Sequence, residues 1–121
     1  MGVNVAVVGA TDDPTKYANQ AMRMLEAHGD TVFPVNPTKE TIDGAKVYPT
    51  LKDIPEKIDT VTLYVRAAVS EAMADDILAL KPRRVIMNPG TVSDVLAAKL
   101  KANDIGVVHG CTLVMLQSGQ F

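Results

Sequence analysis

The sequence predicts one α/β domain over residues 1–121, built as a single doubly wound parallel sheet of five main strands with helices on both faces. Short apolar, β-branched runs alternate along the chain with segments of helical periodicity, which is the pattern of βαβ units. The chain is 47% hydrophobic and 21% charged, a composition that suits a globular protein with a buried core. Its length of 121 residues is enough for one such core and too short for two. By analogy with other doubly wound sheets, we expect the strand order 3-2-1-4-5.

The first strand and first helix are the clearest elements. Residues 3–8 (Val-Asn-Val-Ala-Val-Val) form a nearly continuous apolar run that ends at Gly9, as expected for a strand buried on both faces. Apolar residues then recur at helical spacing from Ala18 through Leu25, and His28-Gly29 is a typical helix end.

The second strand is predicted at residues 31–35 (Thr-Val-Phe-Pro-Val) and ends at Asn36-Pro37. Pro34 restricts this strand to a sheet edge, or to a place where the missing N–H is not needed. Residues 38–57 are interpreted as a long connection, in which residues 46–48 offer a brief extended piece.

The third strand is expected at residues 59–65, followed by a helix that Ser70 caps and Pro82 ends. This helix would carry Met73, Ile77 and Leu80 inward.

The fourth strand is expected at residues 84–87, followed by a helix capped by Thr91 or Ser93. That helix would bury Val95, Leu96 and Leu100. The fifth strand is placed at residues 105–109, while residues 111–116 fit either a final strand or one packed helical turn.

Charge and cysteine content narrow the classes of function. A formal charge of −2 without a polybasic stretch predicts neither a nucleic-acid partner nor a membrane partner. The lone Cys111 cannot form an internal disulfide, and Met1-Gly2-Val3-Asn4 lacks the charged-then-apolar layout of a signal peptide. We therefore expect a cytoplasmic protein.

The loop after the first strand has the chemistry of an anion site. It joins a strand to a helix N-terminus, whose unpaired N–H groups and dipole favour a phosphate. Gly9 allows close approach, Thr11 and Asn19 offer neutral donors, and Lys16 carries a charge that would neutralise part of a diphosphate. Asp12 and Asp13 are interpreted as turn and cap residues.

Two common nucleotide motifs are absent. In the G-x-G-x-x-G pattern that would start at Gly9, Thr11 and Pro14 stand in place of the second and third glycines. The acidic residue expected at the end of the second strand is replaced by Val35-Asn36-Pro37, and no Walker A sequence is present. These departures argue against ordinary NAD binding and against ATP hydrolysis by a P-loop.

The same loops resemble a known family. Val-Val-Gly-Ala-Thr-Asp-Asp-Pro from residue 7, Tyr17 and Asn19, residues 33–37, residues 44–51, residues 88–91 and Cys111 together look like the short CoA-binding-domain family. Members are small Rossmann-like proteins similar to the CoA-binding domain of the succinyl-CoA synthetase α subunit, without its second domain.

The resemblance implies a ligand, coenzyme A, and a set of contacts. It implies that Gly9, Ala10 and Thr11 line the diphosphate, and that Asn36, Pro37 and Lys39 approach the adenosine end, with Lys39 near the 3′-phosphate. It also implies that Asn88, Pro89 and Gly90 face the pantetheine arm.

Several residues have two interpretations. Arg66, after the third strand, would clamp a phosphate or pair with a surface carboxylate, and Tyr17 would stack on an adenine or cover the helix start. Cys111 is interpreted mainly as a small buried hydrophobe, His28 as a favourable charge at a helix end, and His109 stays open. His109 and Cys111 supply too few ligands for a metal site, so we expect no metal.

Three functions remain in view. The first is a CoA or acyl-CoA binding protein without catalysis, acting as a sensor, carrier or partner of a larger enzyme. The second is a small NADP-dependent oxidoreductase, in which Asn36 and Lys39 would hold a 2′-phosphate. The third is a homo-oligomer, with a homodimer as the simplest form, whose interface is formed by residues 111–116 and Phe121.

Overall fold

The computed structural model describes residues 2–121. The strands are β1 (Asn4–Val8), β2 (Thr31–Val35), β3 (Thr41–Ile42), β4 (Ala45–Lys46), β5 (Thr60–Leu63), β6 (Arg84–Met87) and β7 (Gly106–His109). The helices are α1 (Tyr17–His28), α2 (Ala67–Ala72), α3 (Ala74–Leu80), α4 (Asp94–Lys101) and α5 (Thr112–Gln117), with a 3-10 turn at Leu51–Asp53.

The main sheet has five parallel strands in the order β2-β1-β5-β6-β7, which confirms the fold class and corrects the expected strand order. The third main strand, β5, pairs directly with β1 instead of lying outside β2. The outer edge of β2 is already occupied, because the Tyr48 N–H donates to the Pro34 carbonyl at 2.9 Å and the Asn36 N–H donates to the Tyr48 carbonyl at 3.0 Å. Pro34 thus lies on the outermost strand of the main sheet, as its missing N–H requires.

The connection from β2 to β5 is more ordered than the sequence suggested. It contains the antiparallel hairpin of β3 and β4, with Gly44 at a φ of 82° in its turn. The 3-10 turn at Leu51–Asp53 follows, closed by reciprocal hydrogen bonds between Thr50 and Asp53.

The helix predicted to start at Ser70 begins earlier and is divided in two. Ser70 lies inside α2, where its hydroxyl donates to the Ala67 carbonyl at 3.1 Å, so it is not an N-cap. The helical geometry is interrupted at Met73, and α3 ends at Leu80, followed by the C-cap Lys81, whose φ is 53°, immediately before Pro82. The proline therefore stops this helical segment as predicted.

Helix α4 is capped by Ser93, whose hydroxyl accepts the Leu96 N–H at 3.1 Å. Val95 was expected to be buried but is 70% exposed, because α4 turns Leu96, Ala97 and Leu100 toward the sheet. The segment that fitted either a strand or a helical turn is helix α5.

Helices cover both faces of the sheet, and each face has its own core. Helices α1 and α5 pack together on one face, where Leu25 of α1 packs with Val5 and Val7 of β1. Helices α3 and α4 cover the other face, where Leu100 of α4 packs with Val61 of β5 and Val85 of β6. Each fully buried aliphatic side chain stabilises the folded state by roughly 1.5–3 kcal/mol relative to an exposed one. This packing holds the carboxyl ends of the strands, and the loops that follow them, along one edge.

No helix within residues 2–121 combines the length and apolar character needed to cross a membrane.

Candidate functional site

Three hollows lie side by side along the carboxyl edge of the main sheet. The central hollow, about 450 Å³, is lined by Gly9, Thr11, Lys16, Tyr17, Ala18, Tyr64, Val65, Arg66, Pro89, Gly90 and Thr91. The β2-side hollow, about 350 Å³, is lined by Val8, Gly9, Val35, Asn36, Pro37, Pro49, Thr50, Val65, Val69, Met73 and Asp76. The α5-side hollow, about 400 Å³, is lined by Tyr17, Tyr64, Asn88, Pro89, Cys111, Leu113, Val114 and Gln117. Shared lining residues join the central hollow to each of its neighbours.

Gly9 shapes the boundary between the central and β2-side hollows. Its φ is 88°, and a Cβ at this position would lie 2.9 Å from the Tyr64 carbonyl oxygen. The N–H groups of Gly9 and Ala10 both donate to the Val35 carbonyl, at 3.1 and 3.2 Å. These two amides are therefore engaged by β2, and Ala10 is fully buried beneath the loop.

The N-terminus of α1 opens into the central hollow. Lys16 occupies the N-cap position without a side-chain cap, and the first turn carries no acidic residue. Ala18, in that turn, lines the hollow. Unpaired N–H groups and the positive end of the helix dipole consequently face this space.

Two cations border the same hollow. The side chains of Lys16 and Arg66 are exposed, and within residues 2–121 neither forms a salt bridge. Asp13 faces its own turn, where its carboxylate accepts the Thr15 hydroxyl at 2.7 Å and the Thr15 N–H at 2.9 Å, and these two bonds lower its pKa. The interpretation of Asp13 as a turn residue is confirmed.

Asn19 supports the loop from below. It is 1% exposed, and its side-chain amide donates to the Thr11 carbonyl at 2.9 Å. Its Oδ1 is buried and has no hydrogen-bond partner in the described part of the chain. Asn19 thus fixes the shape of the loop and does not line the hollow.

Tyr64 forms a wall between the central and α5-side hollows. Its hydroxyl is buried next to the hydroxyls of Thr62 and Thr112, which pair with each other at 2.8 Å. Within residues 2–121 the Tyr64 hydroxyl itself has no hydrogen-bond partner. Burial raises the pKa of Tyr64 to about 12, and the neighbouring Thr112 hydroxyl offsets part of that rise. Tyr64 is therefore neutral at ordinary pH.

Asn36 ties two loops together beside the β2-side hollow. Its amide donates to the Ala10 carbonyl at 2.8 Å, and its Oδ1 accepts the Thr38 N–H at 2.9 Å. Lys39 lines none of the three hollows, and its ammonium pairs with the Asp12 carboxylate at 3.3 Å.

Asn88 is engaged inside the protein. Its amide donates to the Thr62 hydroxyl at 2.7 Å and to the Leu63 carbonyl at 2.8 Å, and its Oδ1 accepts the Thr112 N–H at 2.9 Å. Pro89 and Gly90 then form a tight turn, in which Gly90 has a φ of 86°. This turn places their exposed surfaces on the walls of the hollows.

Most of the predicted site residues are brought together at one edge. Those lining a hollow are Gly9, Thr11, Lys16, Tyr17, Asn36, Pro37, Arg66, Asn88, Pro89 and Gly90. Ala10, Asn19 and Lys39 lie outside the linings. Cys111 is partly exposed in the α5-side hollow, whereas His109 lines none of them. Within residues 2–121 no three His, Cys, Asp or Glu side chains are grouped to hold a metal ion.

A family model described as a CoA binding domain matches residues 3–117 of the chain. The protein belongs to the CoA-binding domain family. The resemblance inferred from the sequence is thereby confirmed.

The chain is similar to segments of longer proteins and to a whole chain of similar length. The chain is 37% identical over 62 residues to the α subunit of the ADP-forming acetate–CoA ligase II of Pyrococcus furiosus, covering 50% of this chain and 14% of that subunit. It matches a crystal structure of an uncharacterized protein with a TM-score of 0.94 and 38% identity, over 100% of this chain and 99% of the other. The dinucleotide-forming acetyl-coenzyme A synthetase 1 of Ca. Korarchaeum cryptofilum matches with a TM-score of 0.77 and 26% identity, over 89% of this chain and 25% of that one.

Sequence reasoning missed several residues of this family member's candidate site. Tyr64 and Val65 directly follow β5, so the rule that selected the other strand-end loops could have found them. Val69 in α2, Met73 at the break between the helices and Asp76 in α3 also line the β2-side hollow. A rule based on the ends of strands does not detect residues on helices. Leu113, Val114 and Gln117 depend on α5, which periodicity did not identify.

Proposed function

We propose that the protein binds coenzyme A, or an acyl-CoA, without transforming it, and acts as a sensor, a carrier or a partner of a larger enzyme. The observation that carries this proposal is the order of the three hollows. A hollow lined by two cations that form no salt bridge within residues 2–121 lies between two hollows with largely apolar walls. CoA has the same order, because its diphosphate separates the adenosine from the pantetheine arm.

The central hollow suits the diphosphate. Lys16 supplies a flexible ammonium and Arg66 a planar guanidinium, which pairs well with phosphate oxygens. The uncapped first turn of α1 adds neutral donors and the positive end of a dipole. No carboxylate lines this hollow in the described part of the chain, so no like charge repels the ligand there.

The β2-side hollow suits the adenosine. Val35, Pro37, Pro49 and Met73 offer apolar surface to a planar base, and the carboxylate of Asp76 can accept hydrogen bonds from ribose hydroxyls. Lys39 lies two residues after Pro37, which lines this hollow. Its ammonium would reach a 3′-phosphate if its ion pair with Asp12 broke. Tyr17 borders the other two hollows, so in this arrangement it covers the helix start and does not stack on the adenine.

The pantetheine arm then runs over Pro89 and Gly90 toward the α5-side hollow. The ionisable side chains lining the central hollow are Lys16, Tyr17, Tyr64 and Arg66, whose ammonium, phenol and guanidinium groups are hydrogen-bond donors. They can hold an anion but do not form an acid–base pair, so the geometry favours binding over catalysis. A carrier or partner role is supported by the acetate–CoA ligase subunit, which contains a matching segment within a longer chain.

Calorimetric titration with CoA tests this proposal through Arg66→Ala. We expect the variant to bind CoA about tenfold more weakly, because a charge-assisted bond to phosphate is worth roughly 1.5–3 kcal/mol and an exposed one lies at the low end. Lys101→Ala, on the exposed last turn of α4, is the matched control and should bind like the wild type. Equal CoA affinities of Arg66→Ala and the wild type would contradict the diphosphate assignment.

A further inference from the structure

The α5-side hollow differs from its neighbours in the groups that line it. Its walls are two tyrosine rings, Leu113, Val114 and the thiol-bearing Cys111, with Gln117 and Asn88 as its amides. In the described part of the chain, no Asp, Glu, Lys or Arg side chain lines it. A charged group placed in this space would lose water without gaining a partner of opposite charge.

The hollow also leaves large apolar side chains open. Tyr17 is 70% exposed and Val114 is 57% exposed, and they face the hollow from α1 and α5 respectively. A ligand group covering both side chains would remove apolar surface from water, which is the main source of affinity for an uncharged hydrocarbon group.

The position of the hollow fixes which part of a ligand reaches it. Tyr17, Tyr64 and Pro89 belong to both the central and the α5-side hollow, so the two spaces are continuous. With the diphosphate in the central hollow and the adenosine on the β2 side, the far end of the pantetheine arm points here. An acyl group on that end would meet Leu113 and Val114.

We propose that the α5-side hollow is an acyl-binding site that selects short, uncharged acyl thioesters of CoA over free CoA and over acyl groups that carry a carboxylate. This inference rests on the proposed CoA function. The recognised chemistry is an apolar chain of a few carbons, held by Tyr17, Leu113 and Val114.

Calorimetric titrations of the full chain with CoA, acetyl-CoA, butyryl-CoA and succinyl-CoA test the proposal. Each buried methylene group should tighten binding by about threefold to fourfold. We therefore expect butyryl-CoA to bind about tenfold more tightly than acetyl-CoA, and succinyl-CoA to bind more weakly than butyryl-CoA by a larger factor. Equal affinities for CoA, butyryl-CoA and succinyl-CoA would overturn the inference.

Val114→Asp places a carboxylate in the hollow and should weaken butyryl-CoA binding at least fivefold more than CoA binding. Val95→Asp is the matched control, since Val95 is 70% exposed, compared with 57% for Val114, but lines none of the hollows, and it should leave every affinity unchanged. If Val114→Asp weakens CoA and butyryl-CoA equally, the acyl site is wrong although CoA binding stands. If no CoA compound binds, the proposed function fails as well.

Discussion

The side-chain amide of Asn88 donates to the hydroxyl of Thr62 at 2.7 Å, across the boundary between the end of β6 and the middle of β5. The same side chain accepts the Thr112 N–H and thereby fixes the start of α5 to the sheet. Asn88 is 2% exposed, so these hydrogen bonds are shielded from water. The family resemblance implied that Asn88 faces the pantetheine arm. The structure shows that its side chain is held by internal hydrogen bonds, which support the wall of the α5-side hollow.

Asn88→Ala should lower the free energy of unfolding by about 2–4 kcal/mol, because it leaves the Leu63 carbonyl and the Thr112 N–H buried without partners. Urea denaturation measures the change. Asn103→Ala is the control, since Asn103 is exposed and makes a single side-chain bond to the Lys99 carbonyl. Equal small losses in both variants would show that the buried network does not stabilise the fold.

Gly9→Ala should destabilise the protein by more than Gly44→Ala. Both glycines have positive φ, at 88° and 82°, but a Cβ on Gly9 would lie 2.9 Å from a backbone oxygen, whereas one on Gly44 would meet nothing within 4 Å. We expect about 1 kcal/mol for Gly44→Ala and at least about 2 kcal/mol more for Gly9→Ala. Thermal and urea unfolding of both variants measures the difference, and similar losses would contradict the close packing of Gly9 against Tyr64.

Asp12→Asn should strengthen the binding of CoA. The ion pair between Lys39 and Asp12 competes with any phosphate for the ammonium, and an exposed pair is worth about 0.2–1 kcal/mol. We therefore expect a gain of about 1.4-fold to fivefold for CoA, and a smaller gain for dephospho-CoA, which lacks the 3′-phosphate.

Lys39→Ala provides the reciprocal measurement and should weaken CoA while leaving dephospho-CoA nearly unchanged. Equal losses for the two ligands in this variant would remove Lys39 from the 3′-phosphate.

Tyr64 makes the free energy of unfolding depend on pH in the alkaline range. Its pKa is raised from 10.0 to about 12 in the folded state, so the unfolded chain loses its phenolic proton first as pH rises. Below pH 10 this group leaves the free energy of unfolding unchanged, and between about pH 10 and 12 the folded state loses roughly 1–2 kcal/mol after allowance for partial exposure, because the buried phenol resists ionisation.

Tyr64→Phe isolates this contribution. Near neutral pH the free energy of unfolding of the variant should lie within about 0.5 kcal/mol of the wild-type value, because the Tyr64 hydroxyl has no hydrogen-bond partner in the described part of the chain. Between pH 10 and 12 its urea midpoint should fall less steeply than that of the wild type. Parallel curves over that range would contradict the raised pKa.

The fold was predictable because apolar runs mark the strands directly. The run from Val3 to Val8 and the helical spacing up to Gly29 lie close to the observed β1 and α1. The strand order was not predictable, since it depends on Tyr48 pairing with the edge of β2, and nothing local in Tyr48 signals that contact. Likewise, the division of α2 from α3 at Met73 has no glycine or proline to mark it.

The sequence predicted where the candidate site lies better than it predicted the contacts that individual residues make there. The rule that ligands bind at the carboxyl ends of strands identified the loops at Gly9, Arg66 and Pro89, and all three line the central hollow. Sequence could not reveal that the amides of Gly9 and Ala10 are engaged by Val35, because those bonds depend on the register of β1 and β2. A homodimer stays a prediction, and two of its proposed interface residues are engaged within the chain, Leu116 in the core and Phe121 under Arg84.

Parallel calorimetric titrations of ligand-free protein with CoA, dephospho-CoA, NAD and NADP test the central claim most directly, because all four carry a diphosphate and differ at its two ends. The structure leads us to expect tight binding of CoA, weaker binding of dephospho-CoA, and little heat with NAD or NADP. Preference for NADP, or no binding of any of the four, would contradict the assignment of this edge to coenzyme A.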